Sequence, residues 1–403
     1  MNSRTWLSIA VFALSLAFAL GSSALNNGLA ATPPMGWNSW NAFRLDINEN
    51  RIRSVADSIS SNGMKAAGYQ YVVVDAGWKN PSRSSDGQLI PDPIKFPSGM
   101  KSLADYIHSK GLLFGLYTDA GDEDCDSAGP GSKGHEQRDA QTFASWGVDF
   151  MKEDWCASGG LDAPAAYSAM SQAIVQTGRP ILFSVCEWGD HQPWYWAPPI
   201  ANMWRTTGDN EACWDCGQDT YQKDGGYPRG WTLILDAQVP LARHAGPGRW
   251  NDPDMLQIGN PAMGLRESKA QFSLWAVLAA PLIAGNDVRS MSNEVRNVLL
   301  NKEVIAVDQD PAGVEGTLVM QGHGWNVWAR PLTDGGEAIV LFNRSTDPQR
   351  VTFDARSIDW TVSTRFKVRD LWKHTDLPVS TGTFSAVVGP HSVTMIRATK
   401  TRN

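Results

Sequence analysis

The chain has 403 residues, of which 42% are hydrophobic, and a formal net charge of -7. This length can bury a large core in one large domain or two, and mild acidity without a basic block argues against a nucleic-acid partner. The 18 tryptophans are unusual; their flat rings suit either core packing or contact with the apolar faces of sugars.

The first segment has the pattern of an export signal. "MNSR" gives a positive start, "TWLSIAVFALSLAFALG" is an apolar run, and "SSA" and "GLA" are small-residue cleavage sites. A membrane anchor is the alternative, but the run is short for a span and is followed by cleavage signals. We therefore expect a signal peptide over residues 1–30, cleavage near Ala24 to Ala30, and an exported protein, secreted or periplasmic, without a stable membrane anchor.

Short apolar runs alternate with amphipathic stretches through most of the chain. There are eight such runs: "MGWNSW" (35–40), "YQYVVVD" (69–75), "GLLFGLYTD" (111–119), "VDFMKED" (148–154), "PILFSVCE" (180–187), "ANMWRTTGD" (201–209), "RWNDPD" (249–254) and "APLIAGND" (280–287). Strands that alternate with helices pair in parallel, and eight of them predict an α/β fold of the (β/α)8 TIM-barrel type. The first and seventh runs have the weakest strand character.

The pattern of apolar and polar residues changes after "NKEVIAVDQDPAG" (301–313). Segments such as "GEAIVLFNRS" and "TRFKVRDLWK" alternate apolar and polar residues and are separated by turn residues. This pattern predicts an antiparallel β-sandwich. We expect the catalytic barrel over residues 31–310 and the C-terminal antiparallel β domain over residues 311–403.

Cysteines and histidines give little sign of a metal. An exported protein can form disulfides. "CWDC" (213–216) could indicate zinc, but there is no second CxxC and no HExxH. The sequence therefore predicts neither a metal nor a cofactor, and it leaves Cys213 and Cys216 as either a local disulfide or two thiols.

Seven of the eight runs end on an acidic residue; besides Asp287 in the last run, these are Asp75, Asp119, Asp154, Glu187, Asp209 and Asp254. The active site of such a barrel lies where the strands end, so these carboxyl groups should converge. Asp is also a good helix cap, which explains some of them. A pair of carboxylates among hydrogen-bonding groups and aromatic rings is what glycoside cleavage requires, whereas a non-catalytic sugar-binding barrel needs acceptors but no acid–base pair.

The stretch "DFMKEDWC" (149–156) places three charges at one strand end. Side chains two apart on a strand share a face, so Lys152 and Asp154 should point into the barrel and Glu153 outward, where it could form a salt bridge. A neighbouring cation lowers the pKa of a carboxyl group, as a nucleophile needs. The alternative is a structural ion pair.

In "MWRTTGD" (203–209), Arg205 and Asp209 are four residues apart. An arginine beside an acid can hold it or bind a sugar hydroxyl through its planar fork of donors. The alternative is a solvated strand end and a helix cap.

Taken together, the segments resemble glycoside hydrolase family 27, the α-galactosidase (melibiase) family. The matching pieces, in the family's order, are "PPMGWNSWNAF" (33–43), "VVVDAGW" (72–78), "GLYTDAG" (115–121), "MKEDWC" (151–156), "CEWG" (186–189), "WRTTGD" (204–209), "WNDPDML" (250–256) and "NKEVIAVDQDPAG" (301–313). The resemblance implies a barrel followed by an antiparallel β domain and hydrolysis with retention of configuration.

The resemblance also assigns roles. It makes Asp154 the nucleophile, Asp209 the general acid/base, and Cys125 and Cys156 a disulfide between the third and fourth strand ends. Substrate-binding residues by resemblance are Trp40, Asp75, Tyr117, Lys152, Cys186, Glu187, Arg205, Asp254 and Met255. The bulky Glu187 implies a substrate with a free 2-hydroxyl group.

One position departs from the family pattern. α-Galactosidases typically have two successive aspartates after the second strand, and this chain has Asp75 followed by Ala76. The resemblance implies that the missing carboxylate belongs to the side of the pocket that binds the C4–C6 end of galactose, where a sugar hydroxyl without its acceptor would weaken binding. The sequence thus predicts an exo-glycosidase that releases terminal α-D-galactose from galactosides in oligosaccharides or polysaccharides. The alternative is a β-L-arabinopyranosidase or a galactosidase of altered C6 specificity. A non-catalytic sugar-binding barrel is a remote alternative. It does not indicate the oligomeric state.

Overall fold

The computed structural model describes residues 25, 27–217 and 230–401. Most of the predicted signal peptide lies outside these residues. Among the residues described, none of the helices combines the length and the apolar character that crossing a bilayer requires.

Eight parallel strands form the first sheet, and each lies within one of the eight predicted runs. They are β1 (Met35–Asn38), β2 (Tyr71–Val74), β3 (Leu113–Asp119), β4 (Phe150–Asp154), β5 (Leu182–Cys186), β6 (Met203–Arg205), β7 (Trp250–Asp252) and β8 (Leu282–Ala284). Their order is β7-β6-β5-β4-β3-β2-β1-β8. A parallel bridge between Leu256, just after β7, and Ala284 of β8 closes the sheet into a barrel. The predicted fold class is confirmed.

Helices cover the outside of the barrel. They are α1 (Trp40–Phe43), α2 (Glu49–Ser61), α3 (Met64–Ala67), α4 (Gly99–Ser109), α5 (Glu136–Trp146), α6 (Ala163–Gln176), α7 (Trp231–Gln238), α8 (Leu265–Val277), α9 (Asn293–Leu299) and α10 (Lys302–Asp308). The link between β5 and β6 contains only a short 3-10 helix, Pro193–Tyr195. The strict alternation of strand and α-helix therefore breaks at this point.

The barrel interior is built in layers because inward-facing side chains repeat every second residue. The lower layer is apolar and contains Val73, Phe150, Leu182, Met203 and Trp250. Gly115 completes it, since a Cβ atom there would lie 2.6 Å from a methyl carbon of Val73. The next inward position on each of these strands is polar or reactive, so the strand ends open into a polar pocket above an apolar floor.

The chain before β1 packs beneath this floor. Leu29 and Ala30 contact the apolar layer. The carbonyl oxygen of Ala30 accepts a hydrogen bond of 2.8 Å from the Trp250 indole, and the Leu25 amide donates to the carbonyl of Pro198. These contacts fix the residues just after the first of the two predicted cleavage signals, while export itself stays a prediction.

A second, antiparallel sheet follows α10. Its strands are β9 (Thr317–Gly322), β10 (Trp325–Pro331), β11 (Glu337–Asn343), β12 (Gln349–Asp354), β13 (Arg365–Asp370), β14 (Thr375–Thr381), β15 (Thr383–Val388) and β16 (Ser392–Lys400), in the order β12-β15-β14-β13-β16-β11-β10-β9. Its own core contains Ile339, Leu341, Phe353 and Phe366, as expected for a β-sandwich. Aromatic packing of Phe342 against Trp231 joins it to the barrel.

Candidate active site

The predicted nucleophile lies in a buried chain of charges above the apolar floor. Asp154 is 5% exposed, and one of its carboxylate oxygens, Oδ2, is 3.7 Å from Lys152 Nζ. The same Nζ lies 2.9 Å from Asp75 Oδ2, and Asn38 Nδ2 donates to that oxygen at 2.7 Å. Asp75 therefore fixes the lysine, and the lysine stands beside Asp154. Strand parity correctly predicts that Lys152 and Asp154 share the interior.

Glu153 faces outward, as parity predicts, but the expected salt bridge is absent. Its side chain is buried, and within the described residues no cation pairs with it and its Oε2 has no hydrogen-bond donor. Burial, with Asp119 adding repulsion, raises the pKa of Glu153 well above its usual value. A neutral carboxyl group in the barrel wall replaces the ion pair that the sequence suggested.

Arg205 holds two carboxylates at once at the opposite side of the pocket. Its Nη2 lies 3.1 Å from Asp209 Oδ1, and its Nη1 lies 3.2 Å from Asp254 Oδ1. The Arg205 side chain is 3% exposed, whereas that of Asp209 is 51% exposed. One carboxylate, that of Asp154, is thus buried above the apolar floor, whereas the other, that of Asp209, is half-exposed to water.

Asp254 has an unusual backbone that serves this arrangement. Its φ is 75°, a left-handed value that is uncommon outside glycine. The carboxylate accepts from the Asn210 amide at 2.8 Å through Oδ2 while Oδ1 faces Arg205. Strained backbone of this kind costs free energy of order 1–3 kcal/mol and is maintained by the surrounding contacts. It aims the carboxylate back across the pocket mouth.

The sequence predicts that Lys152 lowers the pKa of Asp154, and this prediction is wrong because the net shift is upward. Burial raises the pKa of Asp154 to about 6, and the opposing effect of Lys152 is smaller. Burial also acts to raise the pKa of Asp209, but Arg205 and Lys152 outweigh it and hold that pKa below its usual value. Repulsion from the Asp209 carboxylate contributes to the raised pKa of Asp154, so the protonation of these two carboxyl groups is linked.

Glu187 lies at the end of β5 but is turned into the protein. It is 0% exposed, and its Oε2 accepts from the His191 amide at 2.6 Å and lies 2.9 Å from His191 Nδ1. Burial raises the pKa of Glu187 to about 8. Its Oε1 is buried and has no partner among the described residues. His191 therefore holds one carboxyl oxygen of Glu187, and the other is buried without a hydrogen bond among the described residues.

The remaining predicted binding residues lie in or just after strands β1, β3, β5 and β7. Cys186 is a buried free thiol whose sulfur is 3.7 Å from Arg205 Nη1. Met255 and Tyr117 are buried. Trp40 in α1 is half-buried, and the guanidinium carbon of Arg44 lies 5.1 Å from its ring centre.

Two disulfides occur at the strand-end loops. One joins Cys125 to Cys156, with the Cα atoms 5.1 Å apart, and thereby ties the loop after β3 to the loop after β4. The other joins Cys213 to Cys216, which resolves the alternative that the sequence left open. The sulfurs of the first disulfide lie with the Asp119 carboxylate within 4.8 Å, but bonded sulfurs are not thiolate ligands.

Sequence reasoning missed the contacts by which three further groups, Asp119, Asn38 and His191, position the reactive ones. Asp119 accepts from the amides of Gly121 at 2.7 Å and Cys156 at 2.8 Å and so joins two strand-end loops. Asn38 and His191 hold Asp75 and Glu187. Asn38 lies within the predicted run "MGWNSW" and Asp119 is one of the predicted strand-end acids, but neither pattern indicates these contacts. No pattern in the sequence marked His191.

Comparison with known proteins agrees with this geometry. The family model described as "Alpha galactosidase A" matches residues 32–310, and the model described as "Alpha galactosidase C-terminal beta sandwich domain" matches residues 322–398. An α-galactosidase of Cyamopsis tetragonoloba is 46% identical over 92% of this chain and 86% of its own.

Solved structures give the same result. α-Galactosidase I of Mortierella vinacea superposes with a TM-score of 0.89 at 35% identity, covering 93% of this chain and 98% of its own. A Saccharomyces cerevisiae α-galactosidase with raffinose superposes with a TM-score of 0.89 at 30% identity, covering 94% of this chain and all of its own. The chain belongs to the α-galactosidase family of glycoside hydrolases, family 27.

Proposed function

We propose that this protein is a retaining exo-α-galactosidase that releases terminal α-D-galactose from galactosides. The observation that carries the proposal is the pair of dissimilar carboxylates in one pocket, Asp154 sealed beside Lys152 and Asp209 held at the mouth by Arg205. Retention requires one carboxylate that attacks the sugar and one that handles protons. A non-catalytic sugar-binding barrel has no need of such a pair.

The first step forms a bond between an Asp154 carboxylate oxygen and the anomeric carbon while the glycosidic C–O bond breaks. Asp209 gives its proton to the departing oxygen, so the aglycone leaves as a neutral alcohol. In the second step Asp209, now ionised, takes a proton from water. The water oxygen displaces Asp154 from the anomeric carbon, which returns both carboxyl groups to their starting states.

The geometry suggests how the proton reaches the correct carboxyl group. In the free enzyme Asp209 has the lower pKa because the charges of Arg205 and Lys152 outweigh the effect of its burial. A bound galactoside replaces that water, and desolvation raises the pKa of a carboxyl group. Asp154 is already buried, so binding changes its solvation less. Substrate binding therefore moves the shared proton toward Asp209 and leaves Asp154 ionised for attack.

Activity should be highest in mildly acidic solution. The reaction needs one proton on the Asp154–Asp209 pair. As pH rises through about 6 the pair loses that proton. At low pH it takes a second proton, with a pKa below the usual aspartate value. We expect a bell-shaped plot of kcat/KM against pH for raffinose, whose alkaline limb has an apparent pKa of about 6. A flat profile between pH 5 and 8 would contradict this proton assignment.

Ala76 gives the second candidate a specific basis. This residue is buried directly after Asp75, and its amide donates to Asp75 Oδ1 at 2.9 Å. Its methyl group offers no acceptor where the family pattern has a second carboxylate. A sugar without the C6 arm, such as β-L-arabinopyranose, places less demand on that side of the pocket. The 46% identity to a named α-galactosidase supports galactose as the preferred glycone.

Hydrolysis of two aryl glycosides tests the choice of sugar. We expect a higher kcat/KM for an aryl α-D-galactopyranoside than for the matching aryl β-L-arabinopyranoside, because most of the pocket matches the galactose-binding pattern. Both substrates release the same phenol, so a single absorbance assay compares them with an identical leaving group. Preference for the arabinoside would reject the galactosidase assignment in favour of the second candidate.

A further inference from the structure

Three arginines place their guanidinium groups near the aromatic rings of α1, the short helix that follows β1: Arg44, Arg51 and Arg289. Two of them are committed to acids: Arg51 lies 2.7 Å from Asp46 and Arg289 lies 2.7 Å from Asp287. Their guanidinium groups also lie 5.0 Å and 4.9 Å from the ring centre of Phe43. These two arginines therefore hold the loop structure around α1.

Arg44 differs from both. Its nearest acid, Glu211, is 3.6 Å away, which is beyond hydrogen-bond distance, and its side chain is 52% exposed. Within the parts of the chain that the structure describes, no hydrogen bond from its guanidinium group is found. A guanidinium group carries five N–H donors in a fixed plane. Apart from the ion pair with Glu211, the N–H donors of Arg44 are thus unused by the residues that the structure describes.

The position of Arg44 is nevertheless fixed. Its φ is 49°, a left-handed value, and its amide donates to the carbonyl of Trp40 at 2.7 Å. Its guanidinium carbon lies 5.1 Å from the centre of the Trp40 ring, a distance at which a cation is attracted to an aromatic face. Backbone and ring together hold the donors in place before any ligand arrives.

Arg44 stands on the side of the pocket from which the leaving group departs. Its partner Glu211 follows Asp209 by two residues, and the charge of Arg44 adds to the lowering of the Asp209 pKa by Arg205 and Lys152. Asp209 must touch the oxygen of the departing group. A sugar attached through that oxygen extends from Asp209 toward solvent, past the exposed guanidinium group.

We propose that Arg44 binds hydroxyl groups of the leaving sugar and so favours saccharide aglycones over small leaving groups. This inference rests on the proposed function, because it assumes that Asp209 protonates the leaving oxygen. Arg44 would be a specificity residue of the aglycone subsite, with Trp40 supporting its guanidinium plane from below.

The test compares two substrates that share the galactosyl group. Raffinose has a saccharide leaving group, whereas α-galactosyl fluoride has none. For Arg44→Ala we expect the ratio of kcat/KM for raffinose to kcat/KM for the fluoride to fall about tenfold, mainly because KM for raffinose rises. A change of about tenfold is the size expected when a ligand loses one hydrogen bond from a charged donor. Arg289→Ala is the matched control, and its ratio should stay within about twofold of the wild type, since its donors already serve Asp287.

The outcomes separate this inference from the function on which it rests. Equal losses for both substrates would show that Arg44 only supports the fold of α1 and would overturn the proposal, as would an unchanged ratio. Arg44→Lys keeps the charge without the planar fork and should recover only part of the ratio. If the wild-type enzyme cleaves neither raffinose nor the fluoride, the galactosidase assignment itself fails.

Discussion

Replacement of Asp154 by alanine should lower kcat for every galactoside by at least about 10⁴-fold, the scale seen when an enzyme loses its nucleophile. The physical reason is that Asp154 is the carboxylate beneath the sugar, 5% exposed and 3.7 Å from Lys152. The Asp75 carboxylate, in contrast, is held by Lys152 at 2.9 Å and by Asn38 at 2.7 Å. The measurement is steady-state hydrolysis of an aryl α-galactoside by purified variant, with folding checked by its melting temperature.

The matched control is the neighbouring residue on the same strand. Glu153→Gln replaces a buried, neutral carboxyl group by an amide of nearly the same shape on the outer side of the barrel. We expect its kcat to stay within about threefold of the wild type. Loss of activity in both variants to the same degree would indicate damage to β4 rather than removal of a nucleophile.

Added azide gives the role of Asp154 a chemical signature. In Asp154→Ala a small anion can enter the cavity and attack the anomeric carbon of α-galactosyl fluoride from the side that Asp154 occupied. The product should be β-galactosyl azide, with inverted configuration, identified by NMR. Formation of the α-azide instead would assign the nucleophile to another residue.

Much of this site could be predicted from sequence because strand geometry is local. The two-residue period of a strand is enough to place Lys152 and Asp154 together inside the barrel and Glu153 outside it. The same period predicts the apolar layer beneath, since Phe150 and Leu182 lie an even number of residues before the polar positions of their strands. The order of the family segments then identifies which strand ends carry the reaction.

The parts that sequence could not supply depend on burial and on contacts between distant segments. Lys152 is visible two residues from Asp154, but the depth of the pocket is not, so the direction of the Asp154 pKa shift was predicted wrongly. The bond between Arg205 and Asp254 joins the end of β6 to the segment after β7. This ion pair depends on a left-handed backbone at Asp254, which the residue types in this segment do not indicate.

Replacement of Asp209 by alanine should affect substrates according to their need for a proton. For raffinose, whose leaving group is an alkoxide unless protonated, we expect kcat/KM to fall by about 10²- to 10⁴-fold, the range for loss of a general acid. α-Galactosyl fluoride needs little assistance to depart, so its first step should be much less affected. Its second step should slow, because no base then activates water, and the glycosyl-enzyme should accumulate and be detectable by mass spectrometry of the intact protein.

Azide distinguishes this variant from the nucleophile variant on the same substrate. The Asp209 side chain is half-exposed at the pocket mouth, so its removal leaves an open path for an anion to reach the glycosyl-enzyme formed on Asp154. Azide attacks without a base, and it approaches from the face opposite Asp154. Turnover of the fluoride should therefore rise with azide concentration and yield α-galactosyl azide, with retained configuration. Formation of the β-azide by Asp209→Ala would instead make Asp209 the nucleophile and Asp154 the acid/base, because the azide would then attack from the side that Asp209 had occupied.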